Sequence, residues 1–561
     1  MTAATKGRPG GRILVDQLAK QGVERLTCVP GESFLAVLDA LHDAAIDVLV
    51  CRQEGGAAIM AEAYGKLTGR PGICFVTRGP GSMNGSHGVH IAAQDSTPMI
   101  MFIGQVERGM REREAFQELD YKAVFGSIAK WVVEIDSAGR IPELVARAFR
   151  VAMQGRPGPV VVSLPEDVLT EIADVADAPR VEPADTAPAD ADMTRLGELV
   201  REAKRPLMIV GGSRWNASAC KSVAEFAERA GIPVAASFRR ASLFPADHPN
   251  FAGDLGIGPN PKLAARIKDA DLLLLVGGRM SEISSSSYSL LEIPVPKQKL
   301  VHIHPGAEEL GRVYQPVLAI QASPIAFASK LASLDVGART NAEAAATAHA
   351  DYLAWSDNPR KLPGEFQYGE VMCWLRERLP RDAIICNGAG NFAGWIHRYF
   401  RFRGFATQLA PTSGSMGYGV PAAVMAKRML HGRTVVAFAG DGDFLMNGQE
   451  FATAVQFEIP VIVVVIDNGM YGTIRMHQEN HYPKRVSGTG LTNPDFAALA
   501  KAYGGHGERV ETTEEFAPAF ERALKSGKPA ILHCLLDPEA ITAARTLTEL
   551  RDAALAKSQG D

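Results

Sequence analysis

The chain has 561 residues, 46% of them hydrophobic and 22% charged, with a formal net charge of -4. At roughly 100–200 residues per domain, that length allows about three domains. The near-neutral balance argues against a nucleic-acid or anionic-membrane partner, and apolar runs such as "IPVIVVVI" are too short to cross a bilayer.

The first residues, "MTAATKGRPGGR", carry basic groups but no apolar run, so no secretory leader is expected. "IDVLVC" then reads as a buried strand before a helical "EGGAAIMAEAYGKLTG", and "GICFVT" as the next strand. "ADAPRVEPADTAPADAD", Ala176 to Asp192, has linker composition. Beyond it, "RPLMIVGG", "IPVAAS", "ADLLLLVGG" and "KLVHIHP" alternate with amphipathic stretches. A second linker-like segment, Gly337 to Phe366, leaves room for a helix. "RDAIICNG", "TVVAFAGDGD", "IPVIVVVIDN" and "PAILHCLLD" follow. Buried strands alternating with helices predict parallel sheets covered on both faces. The expectation is α/β, with three doubly wound parallel-sheet domains at 1–180, 190–335 and 365–561. A faint echo relates "ICFVTRGPGSMNGSHG" to "VVAFAGDGDFLMNGQE": each reads as a strand, a Gly-rich turn, then Met-Asn-Gly opening a helix. The seven cysteines are dispersed without a CxxC, as expected of reduced cytoplasmic thiols.

In an open parallel sheet, ligands bind beyond the carboxyl ends of the strands. Asp441 follows "TVVAFAG" there, between Gly440 and Gly442, which permit a tight turn and close ligand approach. Asn468 ends the next predicted strand, at a spacing that allows a helix and a return strand between them. A carboxylate with an amide oxygen suits a hard dication, Mg²⁺ or Ca²⁺, completed by phosphate and water. A helix expected from near Phe444 would turn backbone N–H groups toward those phosphates. Read alone, Gly-Asp-Gly is also a plain turn and Asn468 a strand-end cap; the two together favour a metal–diphosphate site. In "CRQEGGAAIMAEAYG", Glu54 stands at a strand-to-helix junction among small and apolar residues. Burial there would raise its pKa, while a first-turn glutamate also simply suits the helix dipole.

"GDG" followed at this distance by "DN" resembles the signature of thiamine diphosphate (ThDP) enzymes, and the likeness extends over most of the chain. It is nearest the acetolactate synthase-like, pyruvate-oxidase-type branch. The resemblance implies a pyrimidine-binding domain, a middle domain and a diphosphate-binding domain. It implies that Asp441, Asn468 and the Met470 carbonyl hold Mg²⁺. Asn391, beside Phe392 in "NGAGNF", would lie along the diphosphate with Gly440, Gly442 and Asp443. Glu54 matches the glutamate that bonds N1′ of the aminopyrimidine and so activates the cofactor. In "PTSGSMGYGVPAA", Gly414 and Met416 would bond the aminopyrimidine, with Met416 wedged between the two rings. "TCVPGESF" resembles an active-site loop, placing Gly31, Glu32 and Ser33 in the substrate pocket. "RGPGSMNG" brings Asn84 to the cofactor, and "EAFQELD" brings Phe116 and Gln117 near the reacting carbon, with Gln117 as a donor to the adduct oxygen. His87 and His90 follow the Asn84 loop and read as histidines of no catalytic role or as proton carriers, the former favoured.

The chain also departs from the acetolactate synthases. His477 stands where they carry a pocket tryptophan, and Glu166 in "LPEDV" where they carry a lysine. Glu32 adds a carboxylate, and "GRMSEIS" keeps only Arg279 of a flavin-contacting arginine pair. FAD is therefore not expected, while ThDP and Mg²⁺ are. The expected function is decarboxylation of a 2-keto acid, pyruvate first, with transfer of the acyl-anion equivalent to a second carbonyl. The alternatives are a 2-keto acid decarboxylase, a 2-hydroxyacyl or 2-hydroxyketone C–C lyase, and a non-catalytic ThDP-binding subunit. A nicotinamide oxidoreductase is disfavoured because no G-x-G-x-x-G follows a strand. A homodimer or homotetramer with shared active sites is implied, without nucleic-acid or membrane partners.

Overall fold

Strands that are apolar at nearly every position bury both faces, as parallel sheets require, and such strands form the centres of three six-stranded parallel sheets here. The computed structural model describes residues 7–337 and 342–558. The chain forms two units, one running to Ala184 and including Val424–Ala426, the other formed by Asp185–Ala423 and Lys427 onward.

In the first unit, β1 (Arg25–Cys28), β2 (Asp47–Val50), β3 (Gly72–Val76), β4 (Met99–Gln105), β5 (Trp131–Glu134) and β6 (Pro159–Pro165) lie in the order β2-β1-β3-β4-β6-β5. Helices α1 (Glu54–Thr68) and α2 (Gly79–Asp95) pack directly on one another. Gly88 permits that approach, since a Cβ there would sit 2.4 Å from the Ala58 Cβ. The expected first linker is partly anchored: Gln17 and Gln21 accept from the backbone N–H of Ala178 and Val181 at 2.8 Å each, and Val181 is buried.

The second unit contains two sheets. The first joins β7 (Pro206–Val210), β8 (Val234–Ala236), β9 (Phe251–Asp254), β10 (Leu272–Val276), β11 (Lys299–His304) and β12 (Leu318–Gln321), in the order β9-β8-β7-β10-β11-β12. The second joins β13 (Ile384–Asn387), β14 (Gln408–Leu409), β15 (Val435–Gly440), β16 (Ile462–Asp467), β17 (His506–Val510) and β18 (Ala530–Leu535), in the order β14-β13-β15-β16-β18-β17. One apolar cluster runs through the unit from Val210 and Val276 to Phe438 and Val464. The second linker-like segment holds a helix, Ala342–Ser356, while residues 338–341 lie outside the described ones.

Two local expectations change. Helix α3 (Asp441–Asn447) begins on Asp441 itself, not near Phe444, with Gly440 as its extended N-cap. The Gly-rich turn of the echo is likewise helical: α2 starts at Gly79, so Met83-Asn84-Gly85 lies inside the helix, and Met446-Asn447 closes α3. Packing overrides the low helix propensity of glycine at both places.

Candidate active site

The order of the last sheet reverses between β13 and β15, and a crevice opens at such a switch point beyond the strand ends. A cavity of about 830 Å³ occupies this place. β15 and β16 pair in parallel with Gly440 opposite Ile466, so Asp441 and Asn468 leave neighbouring strand ends on the same side. Both line the cavity.

Asp441 is 4% exposed. Its Oδ1 accepts from the Gly442 N–H at 2.9 Å, and its Oδ2 accepts from the Met470 N–H at 3.2 Å and the Asn493 amide at 2.8 Å. Burial pushes its carboxyl up to about 6, backbone and amide donors hold it back, and the neighbouring Asp467 adds to the rise. Asn493 also donates to Asp467 Oδ1 at 2.8 Å, and His533 Nε2 lies 2.9 Å from the other Asp467 oxygen. A buried carboxylate that is costly to charge fits a bound cation. Among the described residues no cluster of three or more His, Cys, Asp or Glu side chains could hold a metal. A dication at Asp441 and Asn468 would therefore take one carboxylate, amide and backbone oxygens, and ligand oxygens, as Mg²⁺ does beside phosphates.

Asp443 is also buried, and points toward two loops. Its Oδ1 accepts from Ala389 N–H at 3.0 Å and Gly417 N–H at 2.8 Å, while its Oδ2 is buried with no partner. Burial pushes this carboxyl up to about 7 against those two donors. It ties the turn after β13 to the "SGSMGYG" loop that carries Gly414 and Met416. Gly414 takes a left-handed φ of 67° with nothing near its Cβ position, so that loop meets the cavity with bare backbone. A Cβ on Gly442 would lie 2.5 Å from the Tyr471 ring, and one on Gly440 3.0 Å from the Phe392 ring.

Helix α4 (Gly472–His481) forms another wall. Thr473 donates to Asn391 Oδ1 at 3.0 Å, and Asn391 Nδ2 donates to the Ile541 carbonyl at 2.9 Å. Exposed His477 reaches the cavity from α4 and stacks near His481. Helix α5 (Leu547–Ser558) packs on α4, with Met470 and Met476 against Ile541, Leu547 and Leu550. Glu479, 1% exposed, pairs with Arg475 and Arg551 across that contact.

The middle sheet and the helix Ala393–Tyr399 supply wall residues that sequence reasoning missed. Arg239 is buried and donates to the carbonyls of Pro411 at 2.5 Å and Gly388 at 2.9 Å. Burial pushes Asp254 up to about 7 and, with the Arg239 charge adding, His397 down to about 3, so the imidazole stays neutral near pH 7. Isolated residues on a strand end or helix face carried no motif to find them by.

In the first unit, Glu54 is the first residue of α1, after a Gln53 N-cap whose side chain accepts from Gly56 N–H at 3.1 Å. Glu54 is half-buried, and its Oε2 accepts from the Asn84 amide at 2.9 Å. A Cβ on Gly81 would stand 3.2 Å from Glu54 Oε1. The glutamate thus meets an amide donor and a glycine, rather than the wholly apolar surroundings its sequence neighbours suggest. Gln117 adopts a left-handed φ of 64°, and its carbonyl accepts from Gly79 N–H at 3.0 Å. Phe116 beside it is 71% exposed. Gly31 fits against Thr77, and the buried Ser33 hydroxyl lies 3.0 Å from that of Thr77. Burial lowers the His87 pKa, with His90 adding, while His90 is exposed. A further residue missed in the sequence is Arg78, the α2 N-cap, which pairs with Glu166 and Glu32.

Three family models match the chain: the N-terminal TPP binding domain of thiamine pyrophosphate enzymes over residues 8–124, the central domain over 193–331 and the C-terminal TPP binding domain over 388–534. The acetolactate synthase isozyme 2 large subunit of Escherichia coli is 30% identical over 544 residues, 94% of this chain and 95% of that protein. The acetolactate synthase large subunit of Parasynechococcus marenigrum is 31% identical, covering 93% of this chain and 86% of its own. The acetolactate synthase of Bacillus subtilis is 28% identical over 96% of each chain.

Proposed function

The chain belongs to the thiamine pyrophosphate enzyme family, and from that premise we propose that it is an acetolactate synthase-like carboligase. It decarboxylates a 2-keto acid, pyruvate being the first candidate, and joins the remaining acyl unit to a second carbonyl compound. The observation that carries the reading is the cavity at the sheet's switch point, where buried Asp441 and half-buried Asn468 stand on adjacent strand ends.

Asp441, Asn468 and the Met470 carbonyl would hold Mg²⁺, and Asn391, Gly440 and Gly442 would leave room for the diphosphate beside it. Bound ThDP supplies an electron sink for the carbanion that decarboxylation leaves. Asp443 ties the turn after β13 to the one loop that carries Gly414 and Met416, which would meet the aminopyrimidine. Glu54 would hold a proton between its carboxylate and ring nitrogen N1′ of the bound cofactor, with Asn84 orienting the carboxylate. Gln117 donates to the substrate oxygen as negative charge develops there. FAD has no place in this reading, since Arg279 stands without a second arginine in "GRMSEIS". The active site is shared between two chains of a dimer or tetramer. The seven free cysteines, six of them buried, suit a reducing cytoplasm.

The test is CO₂ release from a panel of 2-keto acids with ThDP and Mg²⁺, with products identified. Acetolactate or a mixed hydroxyketone supports the carboligase. Free aldehyde alone makes it a decarboxylase. No release, with ThDP shown to bind, overturns keto acid chemistry in favour of a C–C lyase.

A further inference from the structure

Three residues leave the carboxyl ends of strands in the first unit's sheet: Glu32 after β1, Arg78 after β3 and Glu166 after β6. They form one charged group. Arg78 Nη2 bonds closely to Glu166 and lies 3.4 Å from Glu32, while its Nη1 faces the Phe116 carbonyl at 3.4 Å. Its Nε is buried with no partner. Side-chain exposure is 9% for Arg78, 33% for Glu166 and 69% for Glu32. The cation is therefore sealed and committed, and what solvent meets is the pair of carboxylates. One cation against two anions leaves the group formally negative.

This group adjoins the residues proposed to act on substrate. Arg78 caps α2, whose second turn brings Asn84 to Glu54, about 9 Å further along the helix at 1.5 Å per residue. The Phe116 carbonyl touches Arg78, and Gln117 follows it. A second anion brought here meets two like charges and a cation already held by Glu166, an arrangement that discriminates by repulsion.

We propose that Arg78, Glu32 and Glu166 form a charge filter that restricts the second substrate to an uncharged carbonyl compound, an aldehyde. The inference rests on the carboligase reading above. A 2-keto acid, an aldehyde and one proton then give a 2-hydroxy ketone and CO₂. The C–COO⁻ bond breaks, its electron pair forms the new C–C bond to the aldehyde carbon, and the aldehyde oxygen takes the proton. The donor's carboxylate leaves as CO₂, so its repulsion is relieved in the reaction. A keto acid acceptor would keep its carboxylate against Glu32 and Glu166 through to product.

The experiment supplies the keto acid that releases CO₂ fastest together with an equal concentration of propionaldehyde, and measures the ratio of mixed hydroxyketone to the product of two keto acids. The filter predicts a ratio above about ten in the unaltered enzyme. Glu166→Gln, which frees Arg78, lowers that ratio about tenfold, and Glu32→Gln lowers it less. General damage to the fold reduces both products together and leaves the ratio unmoved. Dominance of the two-keto-acid product in the unaltered enzyme overturns the filter, as does an unchanged ratio in both variants. Absence of CO₂ release from every keto acid overturns the carboligase reading, and the filter with it.

Discussion

Asn84 donates its side-chain amide to Glu54 Oε2 at 2.9 Å, joining the second turn of α2 to the first residue of α1. A hydrogen bond to a charged group is worth about 1.5–3 kcal/mol, and each 1.4 kcal/mol is about tenfold in rate. Asn84→Ala is expected to lower kcat about 10- to 100-fold with ThDP saturating. Asn84→Asp, which sets a second carboxylate against the first, should lower it further. Steady-state kinetics on the accepted keto acid measure both, and a kcat within twofold of the parent in each would remove the positioning role.

Asp441 and Glu54 should fail in different ways. Asp441→Ala removes the only carboxylate assigned to the metal, so Mg²⁺-dependent ThDP binding is lost. Glu54→Gln keeps the binding and loses turnover. Ligand at a hundred times its Kd stabilises a protein by about 2.7 kcal/mol, so ThDP with Mg²⁺ should raise Tm measurably in Glu54→Gln and not in Asp441→Ala. Chelation with EDTA should abolish the rise in Glu54→Gln. Equal shifts in both variants would take the metal away from Asp441.

A shared active site predicts rescue. Mixing Glu54→Gln chains with Asp441→Ala chains, each inactive alone, should restore about a quarter to a half of the sites if the two residues act across chains. Activity is read after mixed oligomers are verified by mass. Mixed oligomers without recovered activity would place both residues of one site on a single chain.

Helix α5 should release α4 in acid. Glu479 is held down to about 2 by the hydrogen bond from Arg551 first, with Lys484 N–H and Arg475 contributing, against an ordinary 4.5. A depressed carboxylate contributes stability that is fully present above its unfolded pKa and lost as pH falls through its folded one. The pair is therefore intact above about pH 4.5 and weakens toward pH 2. Glu479→Gln should abolish this step and loosen α5 already at pH 7. The cost is about 2 kcal/mol, below the ~3–5 kcal/mol of a fully buried pair because Arg551 keeps 22% exposure. Hydrogen exchange over Leu547–Lys557 between pH 3 and 7 follows both effects; identical protection in parent and variant would remove the clamp.

What the sequence revealed depended on whether a residue's partner was near it in the chain. The strand-end positions of Asp441 and Asn468 were readable because each follows an apolar run. Glu54 was readable from its strand-to-helix junction and Asn84 from its loop, but the hydrogen bond between them was not, since α1 and α2 meet only in three dimensions. Arg78 sits inside "RGPGSMNG" with no pattern of its own, and its partners Glu32 and Glu166 come from distant strand ends. Asn493, the amide shared by Asp441 and Asp467, lies in a loop without periodicity. The helical start at Asp441 was hidden by glycines whose weak propensity packing overrides. Central strands such as Val435–Gly440 and Ile462–Asp467, in contrast, were legible, because strands buried on both faces leave unbroken apolar runs, whereas edge strands such as Trp131–Glu134 and His506–Val510 are only part-buried and carry no such run.

Two glycines flanking the loop after β13, Gly388 behind the cavity wall and Gly394 on it, should respond oppositely to an added methyl. A Cβ on Gly388 would lie 2.1 Å from Asp443 Oδ1, and that oxygen already accepts from Ala389 and Gly417. Gly388→Ala must displace a buried carboxylate and the two loops it ties, so overpacking of about 1–3 kcal/mol is joined by loss of its hydrogen bonds. At Gly394, inside the helix Ala393–Tyr399, an added Cβ meets nothing within 4 Å. Gly394→Ala should stabilise the ligand-free protein by about 0.5–1 kcal/mol through helix propensity. Denaturant melts of the two variants measure the stabilities, and ThDP titration measures the site. Gly388→Ala is expected to weaken ThDP binding at least about tenfold even at temperatures where it remains folded, because Gly414 and Met416 move with the loop that Asp443 holds. Undiminished ThDP affinity in a folded Gly388→Ala protein would show that Asp443 does not order that loop for the cofactor.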